Sequence, residues 1–240
     1  MSLTDAIGIV HAKPRYTSIF PMSLIYEAGV PHTAVKDKGE HVDSGSLEGI
    51  IGYDKASSIN YAFDRVEQMD ADFISSGRYD SLVLWCSNHG YNVPEKPLSY
   101  CVSDKYKDAV AFTKPGEQFL GVNTYIDDKI HAMMDDTDLS QDQVEELLMT
   151  HEYMHSAQDI EKFGNNVLIV EADNELKLAS YFNDIAQSSD DSQLKERYGQ
   201  MAEVCLARYS GIISCMQGSD DEHHVEGIEL SEISDYCIDS

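Results

Sequence analysis

His151-Glu152-Tyr153-Met154-His155 matches the pattern H-E-x-x-H, a spacing with a mechanical reason to exist. In an α-helix, residues four apart lie about one turn (~5.4 Å) apart on one face, so both imidazoles can grip one Zn²⁺. Glu152 then points nearby. Zinc with three protein ligands keeps a fourth position for water and lowers that water's pKa, so an adjacent carboxylate can take the proton and deliver hydroxide to a carbonyl. The chemistry open to these residues is metal-assisted hydrolysis of an amide, with Glu152 as the base.

That geometry requires a helix, and the flanks supply its signals. Ser140-Gln141-Asp142-Gln143 reads as a capping box, and Asp142, Glu145 and Glu146 place acid in the first turns. Val144, Leu147, Leu148 and Met154 form an apolar stripe, and Gly164-Asn165-Asn166 reads as a stop. The spacing predicts a helix over roughly 140–163. A second helix, over about 167–186, is expected to return antiparallel after a short turn and to bring the third ligand. Counted from Asn165, His155 lies ten residues before and Glu175 ten after, so the two should stand opposite each other. Ala172 and Ala179 flank Glu175 and allow close helix approach. The expected metal ligands are therefore His151, His155 and Glu175. Glu171, one turn away, either orients a ligand or takes the place of Glu175.

His151-Glu152-Tyr153-Met154-His155, followed after nineteen residues by Glu175 in Asn174-Glu175, resembles the gluzincin branch of the zincin-like metallopeptidases, the group that includes thermolysin. The resemblance covers about 25 residues. It implies zinc on His151, His155 and Glu175, Glu152 as general base, and a sheet-plus-helix lobe followed by a helical lobe. Thermolysin-like sequences also carry an Asp four residues after the ligand Glu, where it orients a zinc-bound His. Counted from Glu175, that place is Ala179, with Glu171 or Asp173 as substitutes.

The elements that must position this site are read from the rest of the chain. Residues 6–53 suggest short strands at Ala6 to His11, Ile19 to Tyr26 and Glu48 to Tyr53, broken by Pro and Gly; His11, His32 and His41 among them have no ligand spacing. From Lys55 to about Ser75 the period is helical, with Ile59, Ala62, Phe63, Val66, Met69 and Phe73 on one side, as expected of a helix backing a sheet. Four further strands are expected at Ser81 to Cys86, Leu98 to Val102, Asp108 to Thr113 and Gln118 to Ile126, the last two joined into a hairpin by Lys114-Pro115-Gly116-Glu117. A hairpin just before the metal-bearing helix could leave an open strand edge beside the ion, where an extended peptide can pair by β-addition. Asp127 to Asp142 reads as an acidic connecting loop. It is no EF-hand, because Gln141 and Leu147 stand where the loop Gly and terminal Glu belong. A third helix is expected from about Ser192 to Met216, closed by Gly218, and Ser219 to Ser240 reads as an acidic tail with a His223-His224 pair. Peptide hydrolysis also needs an oxyanion donor. Tyr209, His223 and His224 are candidates that spacing does not separate.

The fold class expected is α+β and zincin-like: an N-terminal mixed or antiparallel sheet with a backing helix, then an active-site helix and a helical C-terminal part. The divisions are a sheet-containing lobe over 1–139, a helical metal-bearing part over 140–217 and a tail over 218–240, together one compact catalytic unit. With 43 acids against 17 bases, the net charge of −26 disfavours nucleic acid and anionic lipid as partners and favours a peptide or protein substrate of basic character. No apolar run approaches the eighteen residues of a membrane span, and the first residues lack a secretory leader, so a cytoplasmic protein is expected. The five cysteines lack C-x-x-C spacing and read as reduced thiols, those at 205 and 215 as small buried apolar residues. No G-x-S-x-G elbow or P-loop occurs. A di-iron carboxylate bundle would need a second E-x-x-H, which is absent. The leading expectation is a zinc-dependent peptide-bond hydrolase. Its alternative is a zincin-like fold kept for binding, or an acidic mimic that occupies a basic partner.

Overall fold

The structure is a computed structural model and describes residues 34–38, 53–103, 110–113, 118–158, 160–163 and 166–218. The strands expected before residue 33 and at 48–53 (apart from Tyr53, which begins a helix), the histidines at 11, 32 and 41, the hairpin turn at 114–117, the Gly-Asn stop at 164–165 and the tail from 219 lie outside those residues. The described chain is mixed α and β, mostly helical, with one four-stranded mixed sheet.

The sheet consists of β1 (Ala34–Asp37), β2 (Ser99–Ser103), β3 (Ala111–Phe112) and β4 (Phe119–Asn123), in the order β1-β2-β4-β3. β1 runs antiparallel to β2 with Val35 opposite Cys101, and β2 runs parallel to β4 with Cys101 opposite Gly121. The expected hairpin is present as the antiparallel pair β3 and β4, Phe112 facing Gly121. A Cβ on Gly121 would stand 2.0 Å from the Phe112 ring, so only glycine lets that ring lie across the strand. β4 is buried throughout, as a central strand covered on both faces must be. Among the described residues β1 and β3 are the sheet edges, and β3 is the one beside β4.

Helix α1 (Tyr53–Ser75) is the expected backing helix: Ile59, Ala62, Phe63, Val66, Met69 and Phe73 are all buried, and it packs on β2 and β4. Gly77, at φ 80, turns the chain directly into α2 (Arg78–Asn88). This corrects the strand expected at Ser81 to Cys86. Leu82, Trp85 and Cys86 are the buried residues, spaced three and four apart, and a short apolar run carries no periodicity able to decide between strand and helix.

The acidic connection at Asp127 to Asp142 is likewise corrected to a helix, α3 (Ile126–Thr137). Ile126, Ile130 and Met133 point inward at helical spacing, while Asp128, Asp135 and Asp136 cover the exposed face. Asp127 and Asp128 lie in its first turn, where carboxylates suit the helix dipole. Arg65 of α1 reaches both Asp127 at 3.0 Å and Glu145 of the next helix, joining three elements.

Helix α4 (Gln141–Ser156) begins with the expected capping box: the Ser140 hydroxyl accepts from the Gln143 N–H, and the Gln143 side chain accepts from the Ser140 N–H. It ends at Ser156, earlier than expected, and a short 3₁₀ turn (Ile160–Phe163) leads on to α5 (Val167–Ser188), capped by the Asn166 side chain. α6 (Ser192–Gly218) then lies along α5. Cys205 on α6 is buried as expected, but Cys215 is exposed one turn from the helix end. Among the described residues no helix is long and apolar enough to cross a membrane.

Candidate metal centre

α4 is buried on nearly every side, and polar side chains on it need internal partners. On its outer face Glu146 meets Arg78 at 3.3 Å and Arg197 at 2.5 Å. On the sheet side the Tyr153 ring stacks on Phe73, with centroids 5.2 Å apart, and its hydroxyl donates to Asp70. Asp70, itself buried beneath α1, also accepts from Tyr100 of β2 at 2.7 Å and from Lys38 at 2.6 Å. The central residue of the H-E-x-x-H sequence is thus an anchor that fixes the rotation of the helix.

With that rotation set, His151 and His155 face α5. Their Nε2 atoms lie 2.8 Å apart, and the rings meet edge to face. Glu171 of α5 closes the group: its carboxylate oxygens lie 3.1 Å from His155 Nε2 and 3.3 Å from His151 Nε2. One donor atom from each of the three lies within 4.8 Å of the others, and all three residues are buried.

Glu175, expected as the third ligand, stands on the other edge of His151. Its Oε1 faces Nδ1 at 3.5 Å and the Arg208 Nε of α6 at 3.0 Å. The helices do run in opposite senses, since Gln158 meets Val170, His155 meets Glu171 and His151 meets Glu175. What differs from expectation is the register. The connection begins at Ala157, and its middle lies several residues before Asn165, so the mirror of the two histidines falls near Glu171.

Of the two outward ring nitrogens, that of His155 is held by a hydrogen bond. Gln158 donates through Nε2 to the Val170 carbonyl at 2.9 Å and to Asp173 at 2.7 Å, and Lys177 donates to the same Asp173 oxygen. Its Oε1 can therefore only accept, and it lies 2.6 Å from His155 Nδ1. A hydrogen on Nδ1 leaves the lone pair of neutral His155 on Nε2. Glu175 stands on the corresponding side of His151. Asn174 ties the two helices further by donating to the His151 carbonyl at 3.2 Å.

Charge in this enclosed group is distributed unevenly. Burial, with His155 beside it, pushes His151 down to about 3. Burial opposes charge on His155 too, but Glu171 and Glu152 outweigh it and raise that ring to about 9. Glu171 is the converse: burial would raise it, yet the two imidazoles hold it well below the ordinary carboxylate range. Burial lifts Glu152 to about 8 and Glu175 to about 7, Arg208 opposing in both cases.

Several buried atoms have no hydrogen-bond partner here: Glu171 Oε2, Glu152 Oε2 and His151 Nδ1. Two imidazole nitrogens and a carboxylate converging in this way, with polar atoms left over, are a donor set that suits Zn²⁺. Glu152 lies outside the three-residue group and faces a small cleft between α4, the chain before β2 and the start of β4.

Arg208 and Gln158 are the site residues that the sequence reading passed over. Arg208 follows Val204 and Cys205 and precedes Ile212 on the inward stripe of α6, and a cation in an apolar stripe marks a buried countercharge. Gln158 carries no comparable signal, because only the end of α4 at Ser156 turns it back toward His155. Of the oxyanion candidates, Tyr209 lies half-buried beside Arg208, and His223 and His224 are outside the described residues. Compared with known protein families, characterised proteins and solved structures, the chain finds no match.

Proposed function

We propose that this protein is a zinc-dependent peptide-bond hydrolase in which His151, His155 and Glu171 hold the ion and Glu152 is the general base. The observation that carries the reading is the convergence of both Nε2 atoms on the Glu171 carboxylate, with the neighbouring residue Glu152 buried, lining a small cleft and keeping one carboxylate oxygen unpartnered. A bound Zn²⁺ would supply Lewis acidity and lower the pKa of a water in its open position.

The chain's own residues do the rest. Glu152 Oε2 accepts the proton of the attacking water and returns it to the departing amine nitrogen. Gln158 holds His155 in the tautomer that presents Nε2, and Glu175 stands 3.5 Å from the outward nitrogen of His151. Arg208 pairs with Glu175 at 3.0 Å and opposes the rise that burial imposes on it. β3, the edge strand beside α4, offers backbone groups on which an extended peptide can pair. Taking Glu171 as the ligand shortens the interval after His155 from nineteen residues to fifteen but supplies the orienting carboxylate of the gluzincin resemblance. The carboxylate four residues on is then Glu175, in the place where thermolysin-like sequences carry an orienting Asp.

The test is elemental analysis of the purified chain together with cleavage of a mixed peptide library, using Glu152→Gln as control. One equivalent of zinc, cleavage by the wild type and its loss in Glu152→Gln are expected. Stoichiometric zinc with equal inertness of both proteins would leave the alternative, a metal-bearing fold kept for binding.

A further inference from the structure

The cleft beside Glu152 has three walls. α4 contributes Glu152 and Ser156, the start of β4 contributes Gln118 and Phe119, and the segment before β2 contributes Glu95 and Pro97. That last segment is tied down at three points. The Tyr79 hydroxyl donates to the Pro94 carbonyl at 2.9 Å, the Glu95 N–H donates to the Ser156 hydroxyl at 3.0 Å, and the Leu98 N–H donates to the Gln118 carbonyl at 2.8 Å. Glu95 is therefore held on the rim by its backbone, while its exposed carboxylate accepts from the neutral Gln118 amide.

Among the described residues lining the cleft, the charged side chains are Glu95 and Glu152, with no lysine or arginine. Lys96, the next residue, turns its ammonium over the Tyr79 ring, 4.5 Å from the centroid. Glu152 is buried at the inner end, whereas Glu95 is exposed and meets no cationic side chain in the lining. Glu175 is already matched by Arg208. The charge of Glu95 is what the cleft has left over. The second, independent sign that the cleft is built to take a ligand is Glu152 itself, 3 % exposed with Oε2 unpartnered.

We infer that Glu95 forms a cation-binding subsite of this cleft, so that the substrate peptide presents an ammonium or guanidinium group close to the scissile bond. This rests on the proposed hydrolase reading and adds the substrate class to it. The chain's net charge of −26 draws the same peptides in from a distance. The cation could be a Lys or Arg side chain or a free peptide N-terminus, and the two sources separate experimentally.

The experiment uses the full chain loaded with zinc and peptides identical except at one position, carrying Arg, its neutral isostere citrulline, or Glu, each with a free or an acetylated N-terminus. The wild type should favour a cationic member. Preference for Arg in acetylated peptides identifies a side-chain subsite, and preference confined to free N-termini identifies an ammonium subsite. Glu95→Gln should reduce kcat/KM for the cationic peptide by about fivefold while changing the neutral peptide little, as expected for one partly exposed charge pair. Glu95→Lys should shift the preference toward Glu. Equal cleavage of cationic and neutral peptides, or a preference untouched by Glu95→Lys, overturns the inference. Binding of the same peptides to zinc-loaded Glu152→Gln, with and without Glu95→Gln, is read by fluorescence anisotropy. If no peptide is cleaved the hydrolase reading fails, and this arm still decides the subsite: cation preference lost with Glu95→Gln supports it, and its absence refutes it.

Discussion

Replacing Glu171 and Glu175 one at a time by Gln tests the proposal that Glu171 holds a zinc ion and Glu175 aims a histidine. The structure puts Glu171 within 3.1 and 3.3 Å of the two inward nitrogens, whereas Glu175 lies 3.5 Å from an outward one. A structural zinc is held by ~10–16 kcal/mol, which spread over its protein donors is on the order of 3–5 kcal/mol each. Glu171→Gln should thus weaken zinc binding by about a thousandfold. Loss of a carboxylate behind a ligand histidine typically weakens binding by about 10- to 100-fold. Glu175→Gln should fall in that range, and part of the loss should return in Glu175→Gln/Arg208→Met, which removes the cation left facing the site. Zinc affinity is measured by competition with a chromogenic chelator, and the visible spectrum of the Co²⁺-substituted protein reports the ligand set. Glu171→Gln is expected to change that spectrum and Glu175→Gln to preserve it. The reverse ranking, with Glu175→Gln abolishing binding and Glu171→Gln sparing it, would refute the assignment and return the third ligand to Glu175.

Three other outcomes follow from the same structure. His155 is raised to about 9 against the burial that opposes its charge, so the metal-free site at pH 7 carries a proton on that ring, and zinc must displace it. Apparent affinity should therefore rise about tenfold per pH unit from 7 to 9 and then level, with at least one proton released at pH 7 in calorimetry across buffers of different ionisation heat; a flat profile contradicts this. Gln158→Leu removes the acceptor at His155 Nδ1 and should cost about 10- to 100-fold in zinc affinity by the chelator assay. Affinity equal to wild type would mean that the 2.6 Å contact does not position the ring. Gly121→Ala drives a methyl into the Phe112 ring and should cost ~1–3 kcal/mol, lowering Tm by about 2–4 °C per kcal/mol in a thermal melt. An unchanged melt would show that the ring does not cross the strand there.

H-E-x-x-H at helical spacing, the Ser140 capping box and the apolar stripes of α1 and α4 were readable because each is local, expressed within one or two turns of the chain. The hairpin of β3 and β4 was readable for the same reason, from Pro-Gly between two apolar runs. Periodicity gave way where it was short or masked by charge. Leu82, Trp85 and Cys86 looked like a strand, and the inward Ile126, Ile130 and Met133 were hidden among aspartates.

The choice between Glu171 and Glu175 belonged to tertiary structure. Both carboxylates recur on one face of α5, and which of them meets the inward nitrogens depends on where α4 ends and how far the chain travels before α5 begins. A shift of one turn exchanges them, and no local preference encodes that shift. The same holds for Gln158, Arg208 and Glu95. Each comes to the site from outside the H-E-x-x-H helix, and packing of buried elements places it there. The sequence by itself determined that two imidazoles and a carboxylate share one helix, because residue identity and helical spacing are properties of consecutive residues; the fold decided which side chains stand around them, because that depends on distances between residues far apart in the chain.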